Sequence, residues 1–384
     1  MTRNVTLEVS ARDVRRLGRR GFMRELAGGI ASAALLLRGA DGHAAESFPA
    51  LRELAAAKGL HFGFAVDAAK LAADAAYREL VATQASIIVP ENALKWQAVH
   101  PEPNRYDFTA ADQIASFAAA HRVALRGHTF CWHRALPAWV TQTVTRDTAQ
   151  AVLTDHIHTV AGRYRDQIVS WDVVNEVMLP DAHLADGWRD TFWYQMLGPR
   201  YVEIAFRAAH EAAPNAVLGY NEYGLESDGA HGQAKRAAVL HLLRSLLQRQ
   251  VPIGALGIQS HLRADDPDSA GPGLASFIAE VRSLGLAVYV TELDVDDSRL
   301  SASDDVRDAL VATIYRRYLD LVLGTGDVST VITWGVWDTP HHAGAVDGSG
   351  ALAERPLVFG PDGAIKPASW AVAHCFERAP VMRT

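Results

Sequence analysis

The chain has 384 residues, of which 49% are hydrophobic and 21% charged, enough apolar material for one large α/β barrel with an extension or for two medium domains. A net charge of −7 with mixed signs carries no basic nucleic-acid footprint, and an uncharged polymer suits it better as a substrate than a polyanion. Cys131 and Cys375 are too few for a disulfide framework and read as small buried hydrophobes, with a single bridge as the alternative.

The first 45 residues read as a targeting segment, leaving residues 46–384 as one catalytic domain. Arg19-Arg20-Gly21-Phe22-Met23-Arg24 is a twin-arginine pattern. Behind it runs an apolar stretch, residues 26–37, too short and too rich in Ala and Gly for a membrane span. Small residues near Ala44-Ala45 would allow cleavage. Export by the twin-arginine route to a periplasm or the exterior is the expectation.

From His61 onward strand and helix patterns alternate. Apolar, β-branched runs at residues 61–66, 85–89, 123–129, 168–174, 216–220, 255–259, 287–291 and 331–335 predict eight strands. Amphipathic patterns at 68–80, 109–121, 147–164, 194–211, 231–248, 274–284, 304–323 and 366–376 predict a helix after each, and 51–58 a helix across the bottom. Thr109 and Thr145 are expected near helix starts, and Gly285 and Gly324 at helix stops. Strict alternation with apolar strands predicts a parallel sheet covered by helices, and eight units predict a closed (β/α)8 TIM barrel. An open doubly wound sheet fits less well, because no Gly-rich phosphate turn follows the first strand.

In such a barrel, chemistry gathers at the C-terminal ends of the strands. Those ends carry Glu91, Asn92 and Lys95; His128, Trp132 and His133; Asn175 and Glu176; Asn221, Glu222 and Tyr223; Gln259 and His261; Glu292 and Asp294; and Trp334 and Asp338. A buried strand does not choose a terminal carboxylate for packing. The runs Trp171-Asp172-Val173-Val174-Asn175-Glu176 and Val290-Thr291-Glu292-Leu293-Asp294 each deliver one glutamate. Paired carboxylates with tryptophan faces and amide, imidazole and ammonium groups suit glycoside hydrolysis. Two other readings stand beside it. Metal-dependent hydrolysis would use the histidines, including His341 and His342, but lacks a His-x-His pair on a strand end. A non-catalytic carbohydrate-binding barrel would account for Trp and Asn but not for two acidic strand ends.

Over roughly residues 60–376 the chain resembles glycoside hydrolase family 10, the endo-β-1,4-xylanases. The resemblance rests on Glu91-Asn92-Ala93-Leu94-Lys95-Trp96, Arg126-Gly127-His128-Thr129-Phe130-Cys131-Trp132-His133, Trp171–Glu176, Gly257-Ile258-Gln259-Ser260-His261-Leu262, Thr291–Asp294 and Lys366-Pro367-Ala368. It implies retaining hydrolysis of xylan, with no cofactor or metal; a monomer is the default expectation, with no nucleic-acid or membrane partner. Glu176 would be the acid/base and Glu292 the nucleophile, supported by His261 and Asp294. Asn175 would meet the 2-hydroxyl of the −1 sugar. Lys95, His128 and Gln259 would hold that sugar, Trp132 and Trp334 would wall it, and Glu91 and Asn92 would bind the next. Tyr223 would also contact substrate, and Asp172 would keep Glu176 protonated by like-charge coupling. Two departures bear on fine specificity. The run Trp334-Gly335-Val336-Trp337-Asp338-Thr339-Pro340-His341-His342 lacks the family's second Trp, and Asn221-Glu222-Tyr223-Gly224 replaces the more usual Asn-Asp-Tyr-Asn.

Overall fold

The apolar runs pair side by side and in parallel, as strands buried on both faces do. The structure, a computed structural model, describes residues 48–182, 184–266, 268–339 and 354–383. The expected signal segment and His341 and His342 lie outside the described residues.

Strands β1 (His61–Val66), β2 (Ile87–Pro90), β3 (Ala124–Cys131), β4 (Ile168–Asn175), β5 (Val217–Glu222) and β6 (Ala255–Ile258) follow one another around a ring. The ring is completed by β8 (Ala287–Asp296) and β9 (Val328–Thr333), once the short β7 (His261–Arg263) is set aside. β6 pairs with β8 at Leu256↔Val288, and β9 returns to β1 at Val331↔Phe62, so the barrel is closed. The expected eight strands and their (β/α)8 arrangement are what forms. β7 was not expected: it lies along the extended end of β8, with His261 opposite Asp294.

The covering helices are α1 (Leu51–Ala56), α2 (Ala68–Ala73), α3 (Ala75–Gln84), α4 (Trp96–Val99), α5 (Thr109–His121), α6 (Ala138–Thr143) and α7 (Ala149–Arg163). After them come α8 (Phe192–Leu197), α9 (Arg200–Ala212), α10 (Ala230–Gln248), α11 (Pro272–Ser283), α12 (Asp304–Leu323) and α13 (Pro367–Arg378). One helix expected over 68–80 is two. Asp74 is extended and its carboxylate accepts from Tyr77 N at 3.0 Å, so it caps α3 and ends α2 together. Thr109 is already helical rather than a cap, and α7 starts at Ala149, four residues after Thr145. Gly285 and Gly324 do stand just past α11 and α12. Cys131 and Cys375 are both buried and free, so no bridge forms.

The barrel interior is not wholly apolar. Arg126 on β3 pairs with Asp172 on β4, donates to Ser170 Oγ at 3.0 Å and lies over the Tyr289 ring from β8. This buried ion pair forms the floor beneath the C-terminal mouth. Gly127 lets Trp171 pack here, since a Cβ would stand 2.0 Å from its ring.

Candidate active site

The mouth of the barrel is a cleft of about 400 Å³. Its walls hold Lys95 from the loop after β2, His128 and Trp132 from β3 and its loop, and Asn175 and Glu176 from β4. Tyr223, Gln259, His261, Glu292 and Trp334 complete the set expected from the later strand ends. Asp172 and Asp294 stand behind these residues, against His128 and His261, while Glu91 and Asn92 lie at the rim. Asn92 accepts from Lys95 Nζ at 2.9 Å and donates to Glu91 at 3.2 Å, so the β2 loop is tied together at the rim. The Lys95 ammonium lies 5.2 Å from the Trp132 ring and 5.6 Å from that of Trp334. Desolvation between these walls lowers its pKa, against the pull of Glu292, Glu91 and Glu176.

Glu292 is only 7% exposed and is held by two donors. Asn221 Nδ2 donates to Oε1 at 2.6 Å, and His261 Nε2 lies 3.2 Å from Oε2. Asp294, two residues along the same strand and so on the same face, meets His261 Nδ1 at 3.0 Å. Loss of water opposes charge on this imidazole, but Asp294 and Glu292 outweigh it and hold its pKa well above the usual value. An imidazolium therefore bridges the two carboxylates. Asn221 is fixed by accepting from Thr291 Oγ1 at 2.6 Å, which turns its amide nitrogen to Glu292 and to Asn175 Oδ1 at 3.0 Å. Gln259 Nε2 donates to the same Asn175 oxygen at 3.1 Å.

Glu176 sits differently. Its backbone is in the left-handed region, φ 58°, where a side chain is strained. The conformation is locked from both sides: Glu176 N donates to Asn221 O at 2.9 Å, and Arg189 Nε donates to Glu176 O at 2.8 Å. Among the described residues its carboxyl receives only a 3.3 Å bond from Gln259, and His133 Nδ1 lies 3.7 Å away. Burial, followed by the nearby Arg189, pushes the His133 pKa down to about 4, so at neutral pH that ring is uncharged.

Asp172 departs from its expected part. It is buried against Arg126 and His128, with His128 Nδ1 3.1 Å from Oδ2, so its charge is compensated and is not a free like charge acting on Glu176. A carboxylate only accepts, so His128 Nδ1 carries a proton and donates it to Asp172. Asp172 thus fixes the orientation of His128.

Three participants escaped the sequence reading. In the sequence Asn221 stands out only as a strand-end residue. Arg189 lies in the loop after β4 without any motif, yet clasps Glu176 O and donates to Tyr223 OH at 2.7 Å. Lys235 is fully buried on α10, 2.8 Å from Glu222 and 3.3 Å from the centre of the Tyr223 ring. Its signal was a lysine in the core-facing register of an amphipathic helix. Among the described residues, no group of three or more His, Cys, Asp or Glu is arranged to hold a metal ion.

A closed (β/α)8 barrel with glutamates from two strand ends facing one sugar-sized cleft defines the glycosidase class. The family model for glycosyl hydrolase family 10 matches residues 50–375, and the chain belongs to that family. Among curated relatives, endo-1,4-beta-xylanase B of Thermotoga neapolitana is 32% identical over 362 residues, 91% of this chain and 98% of the relative. Endo-1,4-beta-xylanase B of Paenibacillus barcinonensis is 35% identical over 275 residues, 68% of this chain and 80% of the relative. The crystal structure of xylanase 10B from Thermotoga petrophila RKU-1 in complex with xylobiose aligns with a TM-score of 0.76 and 31% identity, covering 88% of this chain and 99% of that one.

Proposed function

We propose that the chain is an endo-1,4-β-xylanase that cleaves xylan with retention of configuration, with Glu176 as acid/base and Glu292 as nucleophile. The observation that carries the role assignment is the unequal footing of the two carboxylates. Both oxygens of Glu292 are gripped, one by the Asn221 amide and one by the His261 imidazolium. Among the described residues the Glu176 carboxyl has one long hydrogen bond and a neutral imidazole beside it, which leaves it free to meet the glycosidic oxygen.

In the first step Glu176 donates its proton to the glycosidic oxygen while Glu292 attacks the anomeric carbon, expelling the leaving sugar as an alcohol and forming a glycosyl ester. In the second, Glu176 takes a proton from water, which attacks the same carbon and frees Glu292. Lys95, His128, Gln259 and Asn175 would hold the reacting sugar between Trp132 and Trp334. Glu91 and Asn92 would reach the next sugar, and Tyr223 would face the leaving chain. His261 and Asp294 keep Glu292 oriented, and Asp172 does so for His128. The similarity to named xylanases, one of them bound to xylobiose, supports xylan as the substrate.

Product analysis on xylan, with carboxymethylcellulose as control, should give xylobiose and xylotriose. Glu292→Ala should lack the glycosylation step. Glu176→Ala should keep that step on an aryl xylobioside, and azide should restore its turnover by attacking the glycosyl-enzyme without a base. Rescue of neither variant would reverse or remove these roles. A substrate-bound structure should show the carboxyl groups about 5–5.5 Å apart. The protein is also proposed to be a monomer exported by the twin-arginine route to the periplasm or the exterior. Arg19→Lys with Arg20→Lys should block secretion and leave the purified mature enzyme active; normal secretion would remove that part of the reading.

A further inference from the structure

Arg134 stands on the loop after β3, next to His133, and lines the cleft with its side chain exposed. The other cations of the cleft are engaged. Lys95 is bonded to Asn92, Arg189 to Glu176 O and Tyr223 OH, and His261 to two carboxylates. Among the described residues, the Arg134 guanidinium has neither an ion pair nor a hydrogen bond. It is a planar fork of five donors, the shape that recognises a carboxylate. The local charge points the same way. With the His261 charge offset by Asp294, Lys95, Arg134 and Arg189 line a cleft whose remaining carboxylates are Glu176 and Glu292, in a chain of net charge −7. Cations therefore exceed anions along the lining, and a concave site concentrates that field.

We propose that Arg134 is a specificity-determining residue that engages the carboxylate of an acidic sugar branch, a uronic acid carried on the xylan chain at the leaving-group side of the scissile bond. The side follows from its neighbours. His133 is 3.7 Å from Glu176, and Arg189 holds the Glu176 backbone, so this part of the cleft adjoins the acid that protonates the leaving oxygen. The inference rests on the xylanase reading. It also sharpens what net charge suggested: the main chain of the substrate is neutral, and the cleft reads a sparse anionic branch.

The test uses the mature enzyme and three substrates: uronate-branched xylan, the same polymer after chemical reduction of its carboxyl groups, and linear xylohexaose. Arg134→Gln should lower kcat/KM on the acidic polymer by about fivefold, the size of an exposed ion pair, chiefly through KM. It should leave the reduced polymer and xylohexaose unchanged. Arg134→Lys should keep part of the preference, because the charge remains while the fork is lost. Salt should erode the wild-type preference for the acidic polymer and leave Arg134→Gln unaffected. Equal loss on the acidic and reduced polymers, or no loss on either, overturns the proposal. A wild type inactive on all three substrates removes the xylanase reading and the inference with it, an outcome distinct from a wild type active on xylohexaose but indifferent to the branch.

Discussion

At the level of single residues, Glu292, the proposed nucleophile, depends on an amide that has been given room. A Cβ on Gly257 would lie 2.2 Å from Asn221 Oδ1 and 2.9 Å from Thr291 Cγ2. Gly257→Ala must therefore push Asn221 away from Glu292 and Asn175. Glu292 would lose its shortest bond, and kcat should fall by about tenfold, equivalent to about 1.4 kcal/mol, with KM changed less. Steady-state kinetics on an aryl xylobioside would show it, and an unaltered kcat would mean that Asn221 does not position Glu292. The glutamates, histidines and tryptophans were legible because strand ends expose chemistry that packing does not explain. Asn221 and Arg189 were not, since their roles come from what they touch across the barrel. Asp172 misled for a related reason: sequence shows its nearness to Glu176 but not the Arg126 that compensates it.

At the level of elements, α4 and α7 meet through rings. His156 on α7 stacks on Trp96 of α4 with centroids 3.6 Å apart, and its Nδ1 lies 3.2 Å from His100 Nδ1. Burial, and for His156 the neighbouring His100, lowers the pKa of both, that of His156 well below its usual value. Below about pH 6.5 the unfolded chain takes up protons that these folded rings refuse. The stability they contribute is thus complete above about pH 6.5 and falls as pH drops toward their folded values. Each proton refused steepens the decline by up to about 1.4 kcal/mol per pH unit. His156→Phe keeps a ring over Trp96 and removes one such proton, so its melting temperature should fall less steeply with acidification than that of the wild type. Parallel slopes for the two proteins would exclude His156 as a source. The cluster is not legible in the sequence, because stacking between helices leaves no periodic mark. β7 was missed for want of length, and the break at Asp74 because alanines on both sides continue a helical pattern.

At the level of the whole molecule, the barrel has a seam where the last strand must be tied to the last helix. The alternation of strands and helices made the closed ring legible, but Lys366 appeared in the sequence only as part of a Lys-Pro-Ala motif. In the structure its ammonium is buried and reaches Asp338 beyond β9 at 2.6 Å, Asp308 on α12 at 3.2 Å, and the carbonyls of Arg355 and Leu357 at 2.8 and 3.2 Å. Asp338 also accepts from Leu357 N at 2.9 Å. One cation thereby joins the chain leaving β9, the chain that returns, α12 and the start of α13. Burial raises the Asp338 pKa to about 6 even against the pull of Lys366. Removing one partner of a buried pair costs roughly 3–5 kcal/mol when the other charge is stranded, which for a domain this large lowers the melting temperature by roughly 5 °C. Lys366→Met should show that loss at about pH 8. The deficit should shrink toward about pH 5, because without the ammonium the folded Asp338 carboxyl would bind its proton at still higher pH. A group whose folded pKa is raised contributes stability at low pH and loses it as pH rises through that value. Thermal melts of Lys366→Met and of Lys366→Met with Asp338→Asn across this range check the argument. The double variant should be flatter with pH than the single one, and a pH-independent deficit in the single variant would mean that the loss is one of packing rather than of charge.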